Sequence, residues 1–155
     1  MGVEIERKFL VNHTKWKQLN KPKGLKYKQG YLVNEADKVV RIRVTDSGAY
    51  LTIKGITSGI TRKEFEYQIP NNDAIELLDN FSGAKIEKIR YKISHEGKLW
   101  EVDEFSGDNL GLIIAELELK SEAETFTLPD WVTLEVSNDA RYYNSNLSIN
   151  PFKNW

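Results

Sequence analysis

No cysteine occurs in this chain, which removes disulfides, thiolate metal sites and cysteine nucleophiles at once. Histidine is nearly as scarce. His13 and His95 lie in polar surroundings, neither has a partner at metal-ligand spacing, and both are expected at the surface. No apolar run approaches the roughly 18 residues of a membrane span, and the N-terminus lacks a signal-peptide core. The chain is therefore expected to be cytoplasmic and unprocessed, with no membrane partner. Charge of one sign is not in excess either: 22 Lys+Arg against 23 Asp+Glu leave a formal charge of −1. That excludes the whole-molecule basic field of a nucleic-acid binder, so an electrostatic site has to come from local segregation of sign. There is no Ser/His/Asp set, Walker loop or zinc signature, and the scattered glycines build no phosphate-cradling loop.

What the chain does have is strand-like alternation. At 155 residues it is one domain's worth, a single unit over 1–155. Strands are predicted near 2–10, 26–33, 38–45, 49–55, 61–69, 85–95, 98–105 and 112–120, with a short one near 132–136. Turn chemistry separates them at Asp46-Ser-Gly48, Gly55 to Gly59, Glu96-Gly97 and Ser106-Gly-Asp-Asn109. Closely spaced strands with short loops indicate an antiparallel meander, closed or nearly closed, in an all-β-dominated α+β chain. Short helices are predicted near 12–20 and 72–81. In the second, Asn72 serves as N-cap and Ile75, Leu78 and Phe81 form the apolar stripe. A capping box at Ser121-x-x-Glu124 and a segment from Asp139 to Pro151 complete the set.

The opening stretch, Val3-Glu-Ile-Glu-Arg-Lys-Phe-Leu10, puts Glu4, Glu6 and Lys8 on one face of a strand. Two carboxylates about 7 Å apart repel unless a cation or ordered water lies between them. A polar strand face is ordinarily just the solvated side of a sheet. The rest of the chain weighs against that reading, because same-face charges come in doublets of one sign. The acidic doublets are Glu4/Glu6, Glu64/Glu66, Glu101/Asp103 and Glu116/Glu118; the basic ones are Arg41/Arg43 and Lys88/Arg90, with Lys92 and Lys54 beside them. A water-facing sheet would more often mix signs. Residues between the charges, such as Ile5, Ile42, Phe65, Val102 and Leu117, form an apolar face. Periodicity leaves two arrangements open: apolar residues filling a barrel, or charges lining it with helices covering the outside. The second suits a metal-chelated phosphate, since Arg and Lys clamp phosphoryl oxygens and carboxylates hold Mg²⁺ or Mn²⁺.

Taken together, these residues resemble the CYTH superfamily of triphosphate tunnel metalloenzymes, and most of all its small bacterial inorganic triphosphatases. The likeness runs through Glu4-Ile-Glu-Arg-Lys8, Gln29-Gly-Tyr-Leu32, Arg41-Ile-Arg43, Leu51-Thr-Ile-Lys-Gly55, Arg62-Lys-Glu-Phe-Glu66, Lys88-Ile-Arg-Tyr91, Trp100-Glu-Val-Asp103 and Gly111 to Glu118, ending at Arg141-Tyr-Tyr-Asn144. The resemblance implies an eight-stranded antiparallel β-barrel tunnel with a few peripheral helices, and divalent-metal-dependent hydrolysis of inorganic triphosphate. It implies phosphate contacts at Lys8, Arg41, Arg43, Lys54, Lys88 and Arg90, and metal ligation at Glu4, Glu6, Glu116 and Glu118. Glu101 and Asp103 join the metal side, while Glu64 and Glu66 position the attacking water. Lys54 is either a water activator or a phosphate clamp. Adenylate cyclase, thiamine triphosphatase and a non-catalytic polyphosphate-binding module are the alternatives. A small-molecule triphosphate is the expected partner, nucleic acid is not, and the apolar outer faces permit a homodimer. The four tryptophans are assigned to packing or surface roles.

Overall fold

The computed structural model describes residues 2–155. Its strands are β1 (Val3–Val11), β2 (Leu25–Glu35), β3 (Lys38–Thr45), β4 (Gly48–Gly55), β5 (Thr61–Ile69), β6 (Ile86–His95), β7 (Lys98–Phe105), β8 (Ile113–Glu118) and β9 (Val132–Glu135). All neighbours pair antiparallel in the order β5-β4-β3-β2-β6-β7-β8-β1, and β1 then pairs back onto β5 to close a ring of eight. Closure depends on β1 serving different partners along its length. One edge takes β8 from Glu6 to Leu10; the other takes β5 at Val3–Ile5 and β9 at Phe9 and Val11. The β6–β7 hairpin turns at Glu96-Gly97, where both residues have positive φ (49° and 75°), as a two-residue turn matched to strand twist requires.

Two of the three apolar clusters lie outside the ring and are covered there, while Ile53, Phe65 and Tyr67 on β4 and β5 stay exposed. Trp16 from α1 (His13–Gln18) packs with Trp131, Trp100, Val102, Ala115 and Leu117 over β7, β8 and β1. Asn12 caps α1, its side chain accepting from the Lys15 amide at 3.0 Å. A second helix, α2 (Asn71–Phe81), covers β2, β3 and β4 through Ala74 and Leu78 on Ile42 and Ala49. This corrects the predicted stripe: Pro70, not Asn72, occupies the cap position, and Ile75 and Phe81 are exposed. The helix lies so close to the sheet that a Cβ on Gly30 would sit 2.6 Å from Ser82 Oγ and 3.0 Å from Leu78. Position 30 therefore has no room for a side chain beneath the end of the helix.

A third cluster closes one end of the ring. Inward-facing Leu10, Ile86, Phe105, Ile114 and Tyr31 meet Val136, Tyr142 and Leu147 from the C-terminal segment. That segment is a 3₁₀ turn (Ala140–Tyr142), α3 (Asn144–Leu147) and a final 3₁₀ turn (Phe152–Asn154), not one continuous helix. The capping box at Ser121 yields only a turn, in which the Glu124 carboxylate accepts from the Lys120 amide at 2.7 Å. No described helix is long and apolar enough to cross a membrane.

Candidate active site

Pleating puts every even-numbered residue of the central β1 segment, and the matching set on each neighbour, on the ring's inner side. The result is a cavity of about 400 Å³ lined by Glu4, Glu6, Lys8, Arg41, Arg43, Lys54, Glu64, Glu66, Lys88, Arg90, Glu101, Glu116 and Glu118. Of the predicted site residues only Asp103 does not line it. The sequence reading missed two lining cations, to which strand parity points, and the amide that holds Lys88. Arg62 and Lys92 share the faces of Glu64 and Arg90, while Asn144 comes from α3 and carries no local signal. The uncharged lining is mostly polar, with Tyr27, Tyr50, Tyr143 and Ser137, alongside Leu25, Val39 and Ile60. None of the four tryptophans reaches the cavity; Trp16, Trp100 and Trp131 are core, and Trp155 is partly exposed. His13 is exposed and His95 half-buried, both outside the cavity.

Cations and carboxylates hold each other in four groups. Lys54 Nζ lies 3.1 Å from both Glu4 and Glu64. Lys8 Nζ lies 2.6 Å from Glu116 and 3.1 Å from Glu6. Glu66 takes Arg43 at 3.2 Å, Arg41 at 3.5 Å and the Thr52 hydroxyl at 2.8 Å. Asp103, fully buried, takes Arg90 Nε at 2.7 Å on one oxygen, with Arg90 Nη2 at 2.8 Å and Lys88 Nζ at 2.7 Å on the other. Tyr27 lies beneath three of the cations, its ring 5.0 Å from Arg43, 5.1 Å from Arg90 and 6.0 Å from Lys88. Buried Arg41 Nε and Arg43 Nε have no acceptor. They are donors that an anion in the cavity would satisfy.

The carboxylates on the other side are crowded. Glu6 stands opposite Glu118 across β1–β8, and Glu101 opposite Glu116 across β7–β8. Like charges directly opposed destabilise a sheet. Burial and then the neighbouring Glu116 push the Glu6 carboxyl well above its ordinary range, although Lys8 pulls the other way. Burial would raise Glu116 too, but Lys8, the hydrogen bond with Glu6 and Arg90 hold it well below. Burial, then Glu4, Glu64 and Glu101, raise Glu118. Burial alone would lower Lys8; Glu116 and Glu6 outweigh it and raise it. For Lys88 the balance is reversed: burial lowers it to about 8, against Asp103, with Arg90 adding to the fall.

An oxygen-only donor set crowded in this way suits a hard divalent cation. Among the described residues no three acidic groups converge tightly enough to enclose an ion. The fit is to the open mode usual for Mg²⁺, with one or two carboxylates and the rest of the shell from water and substrate phosphate. The cavity's charge agrees. Eight cations (Lys8, Arg41, Arg43, Lys54, Arg62, Lys88, Arg90, Lys92) against seven carboxylates leave +1. A triphosphate carries roughly four to five negative charges near neutral pH, so the walls alone do not balance it.

The CYTH domain model matches residues 2–146. The chain belongs to the CYTH family. This CYTH chain is 51% identical to the inorganic triphosphatase of Acetivibrio thermocellus over 100% of its own length and 99% of that protein. It is 35% identical to the inorganic triphosphatase of Nitrosomonas europaea, covering 94% of this chain and 97% of that one. A crystal structure of an inorganic triphosphatase superposes with a TM-score of 0.65 at 31% identity, covering 94% of this chain and 97% of that one. The CYTH tunnel enzymes depend on a divalent metal, which agrees with the donor set described above.

Proposed function

We propose that this CYTH protein hydrolyses inorganic triphosphate to pyrophosphate and phosphate with Mg²⁺ or Mn²⁺. The observation that carries this reading is the paired opposition of carboxylates, Glu6 with Glu118 and Glu101 with Glu116, facing a wall of four clamping cations. Naturally costly arrangements of this kind persist where a ligand relieves them. The relatives named inorganic triphosphatase, matched over nearly their whole length, supply the substrate.

Arg41, Arg43, Lys88 and Arg90 would take the non-bridging phosphoryl oxygens, the arginines as bidentate forks. The unpartnered Nε atoms of Arg41 and Arg43 point to the same use. Glu6, Glu116 and Glu118, with Glu4 and Glu101 beside them, would hold the cation. Bound there, it neutralises phosphoryl charge and lowers the pKa of a coordinated water. Burial would raise the Glu64 carboxyl, but Lys54, a hydrogen bond with Glu4 and Arg41 together outweigh it and lower it. Its carboxylate can orient a water for in-line attack on a terminal phosphorus and accept its proton. Lys54 is clamped between Glu4 and Glu64. That geometry favours a phosphate clamp and an orienter of Glu64 over a base. Glu66, engaged by Arg41, Arg43 and Thr52, is less free than Glu64 to act on water.

Phosphate release is measured from tripolyphosphate, ATP, thiamine triphosphate and pyrophosphate with Mg²⁺, Mn²⁺ or Ca²⁺. Tripolyphosphate is expected to be fastest, ATP slower, EDTA to abolish turnover, and Lys8→Ala to lower it by at least about 100-fold. Cyclic AMP as the main product from ATP, or tight binding without release under every metal, would refute the assignment.

A further inference from the structure

We propose that Asp103 is a positioning residue that sets Lys88 and Arg90 as one rigid anion clamp, and that it holds no metal. This rests on the triphosphatase reading of the cavity. Four acidic doublets point into the ring, and nothing in their spacing separates Asp103 from Glu101 two residues before it. The structure does separate them. Glu101 lines the cavity, whereas Asp103 is 0% exposed and lies behind the lining.

Both of its oxygens are committed. Oδ1 accepts from Arg90 Nε, and Oδ2 accepts from Arg90 Nη2 and Lys88 Nζ. A carboxylate bidentate to a guanidinium fixes the guanidinium plane. Because Nε and Nη2 are used on the buried side, Arg90 keeps Nη1 and part of Nη2 for the cavity, where they meet Glu101 at 3.3 Å and Glu116 at 2.9 Å. Lys88 is fixed by three groups: Asp103, the Asn144 amide oxygen at 3.0 Å, and the Phe105 ring, whose centroid lies 5.5 Å from Nζ. The two cations are thus aimed from a shared anchor. Reaching a metal would require Asp103 to leave buried Lys88 without a carboxylate partner and to break its bidentate pair with Arg90, a costly change in a buried site. Glu66 treats the other basic doublet in the same way, touching Arg41 and Arg43 together, though from an exposed position.

Asp103→Asn and Asp103→Glu separate this role from metal ligation. Each variant is titrated with tripolyphosphate, and with pyrophosphate as a second anion, in EDTA; turnover is then followed against Mn²⁺ at saturating substrate. Wild-type binding of tripolyphosphate tests the substrate assignment, and the ratio of variant to wild-type Kd, taken with either anion, tests Asp103. Asp103→Asn is expected to raise the metal-free Kd at least tenfold and leave the Mn²⁺ for half-maximal turnover within twofold of wild type. Asp103→Glu, which keeps the charge but displaces the pair, should fall between. Wild-type anion affinity in either variant overturns the proposal. So does a tenfold greater Mn²⁺ requirement that excess metal reverses. If Asp103→Asn does not fold, Asp103→Glu decides by the same two readings.

Discussion

Glu101 and Glu116 stand directly opposite one another on β7 and β8, and Arg90 reaches both, 3.3 Å from the first and 2.9 Å from the second. One guanidinium therefore bridges two carboxylates that would otherwise repel, while its far side is fastened to Asp103. An anion that recruits Arg90 frees those carboxylates for a cation, so the two halves of the cavity are electrostatically linked.

Crowding among the acidic groups has a cost that a single substitution can expose. Glu118 is opposed by Glu6 and pressed by Glu4, Glu64 and Glu101. In EDTA, Glu118→Gln should be more stable than wild type by about 0.5–1 kcal/mol, which is roughly 1–4 °C in Tm at this size. Turnover of tripolyphosphate should meanwhile fall at least tenfold. A lower Tm for the variant in EDTA would contradict the account of the acidic wall.

Adding the cation should relieve the same repulsion. Mn²⁺ or Mg²⁺ at about 100 times its Kd is expected to stabilise the protein by about 2.7 kcal/mol, visible as a rise in Tm that EDTA reverses. Glu116→Gln should lose most of that rise. Equal metal-induced shifts in the variant and wild type would place the ion elsewhere.

Lys88, lowered by burial from 10.5 to about 8, gives the metal-free protein an alkaline limit. Anion binding needs the protonated amine, so the affinity for tripolyphosphate in EDTA should hold up to about pH 7 and weaken above pH 8. The sign for stability is opposite. Between 8 and 10.5 the unfolded chain binds more protons at this residue than the folded one, so its contribution to stability rises across that window. Lys88→Arg stays charged and should flatten both trends; titration calorimetry and thermal melts at stepped pH read them. An unaltered alkaline limb in Lys88→Arg would assign the limit to another group.

On the outer side, Arg7 is bidentate to Glu135, with Nε at 2.9 Å, and stacks 4.8 Å from the Phe126 ring, fastening β9 to β1. Arg7→Met should cost about 1 kcal/mol in urea unfolding, the discount reflecting partial exposure of the pair. The hydrogen bond from Arg7 depresses the Glu135 carboxyl below 4.5. The pair's contribution is therefore complete above pH 4.5 and is lost as pH falls through the depressed value. The difference between Arg7→Met and wild type should shrink in acid and leave kcat at neutral pH nearly unchanged. A constant difference down to pH 2 would mean packing alone holds the strand.

Much of the site was legible because a strand has the simplest periodicity there is. The predicted strands 38–45, 61–69 and 98–105 coincide with β3, β5 and β7, and parity within them names Arg41, Arg43, Glu64, Glu66 and Glu101. The helices were less legible. Turning 100° per residue, α2 could present Ile75 and Phe81 or Ala74 and Leu78, and the choice lay with Gly30 and Ala49 on another layer. Asn144 was illegible for a similar reason: it reaches Lys88 from 56 residues away.

Alternation and single-sign doublets by themselves determined which side chains travel together and that their common face is charged, because both are local properties of an extended backbone. Whether that face looked inward was decided only when β1 paired with β5 as well as β8, since ring closure converts one side of every strand into an interior. Depth was decided there too. Glu101 and Asp103 share a strand and a face, yet one borders open space and the other is sealed beneath two cations, because burial depends on what neighbouring strands and the C-terminal segment place above each residue.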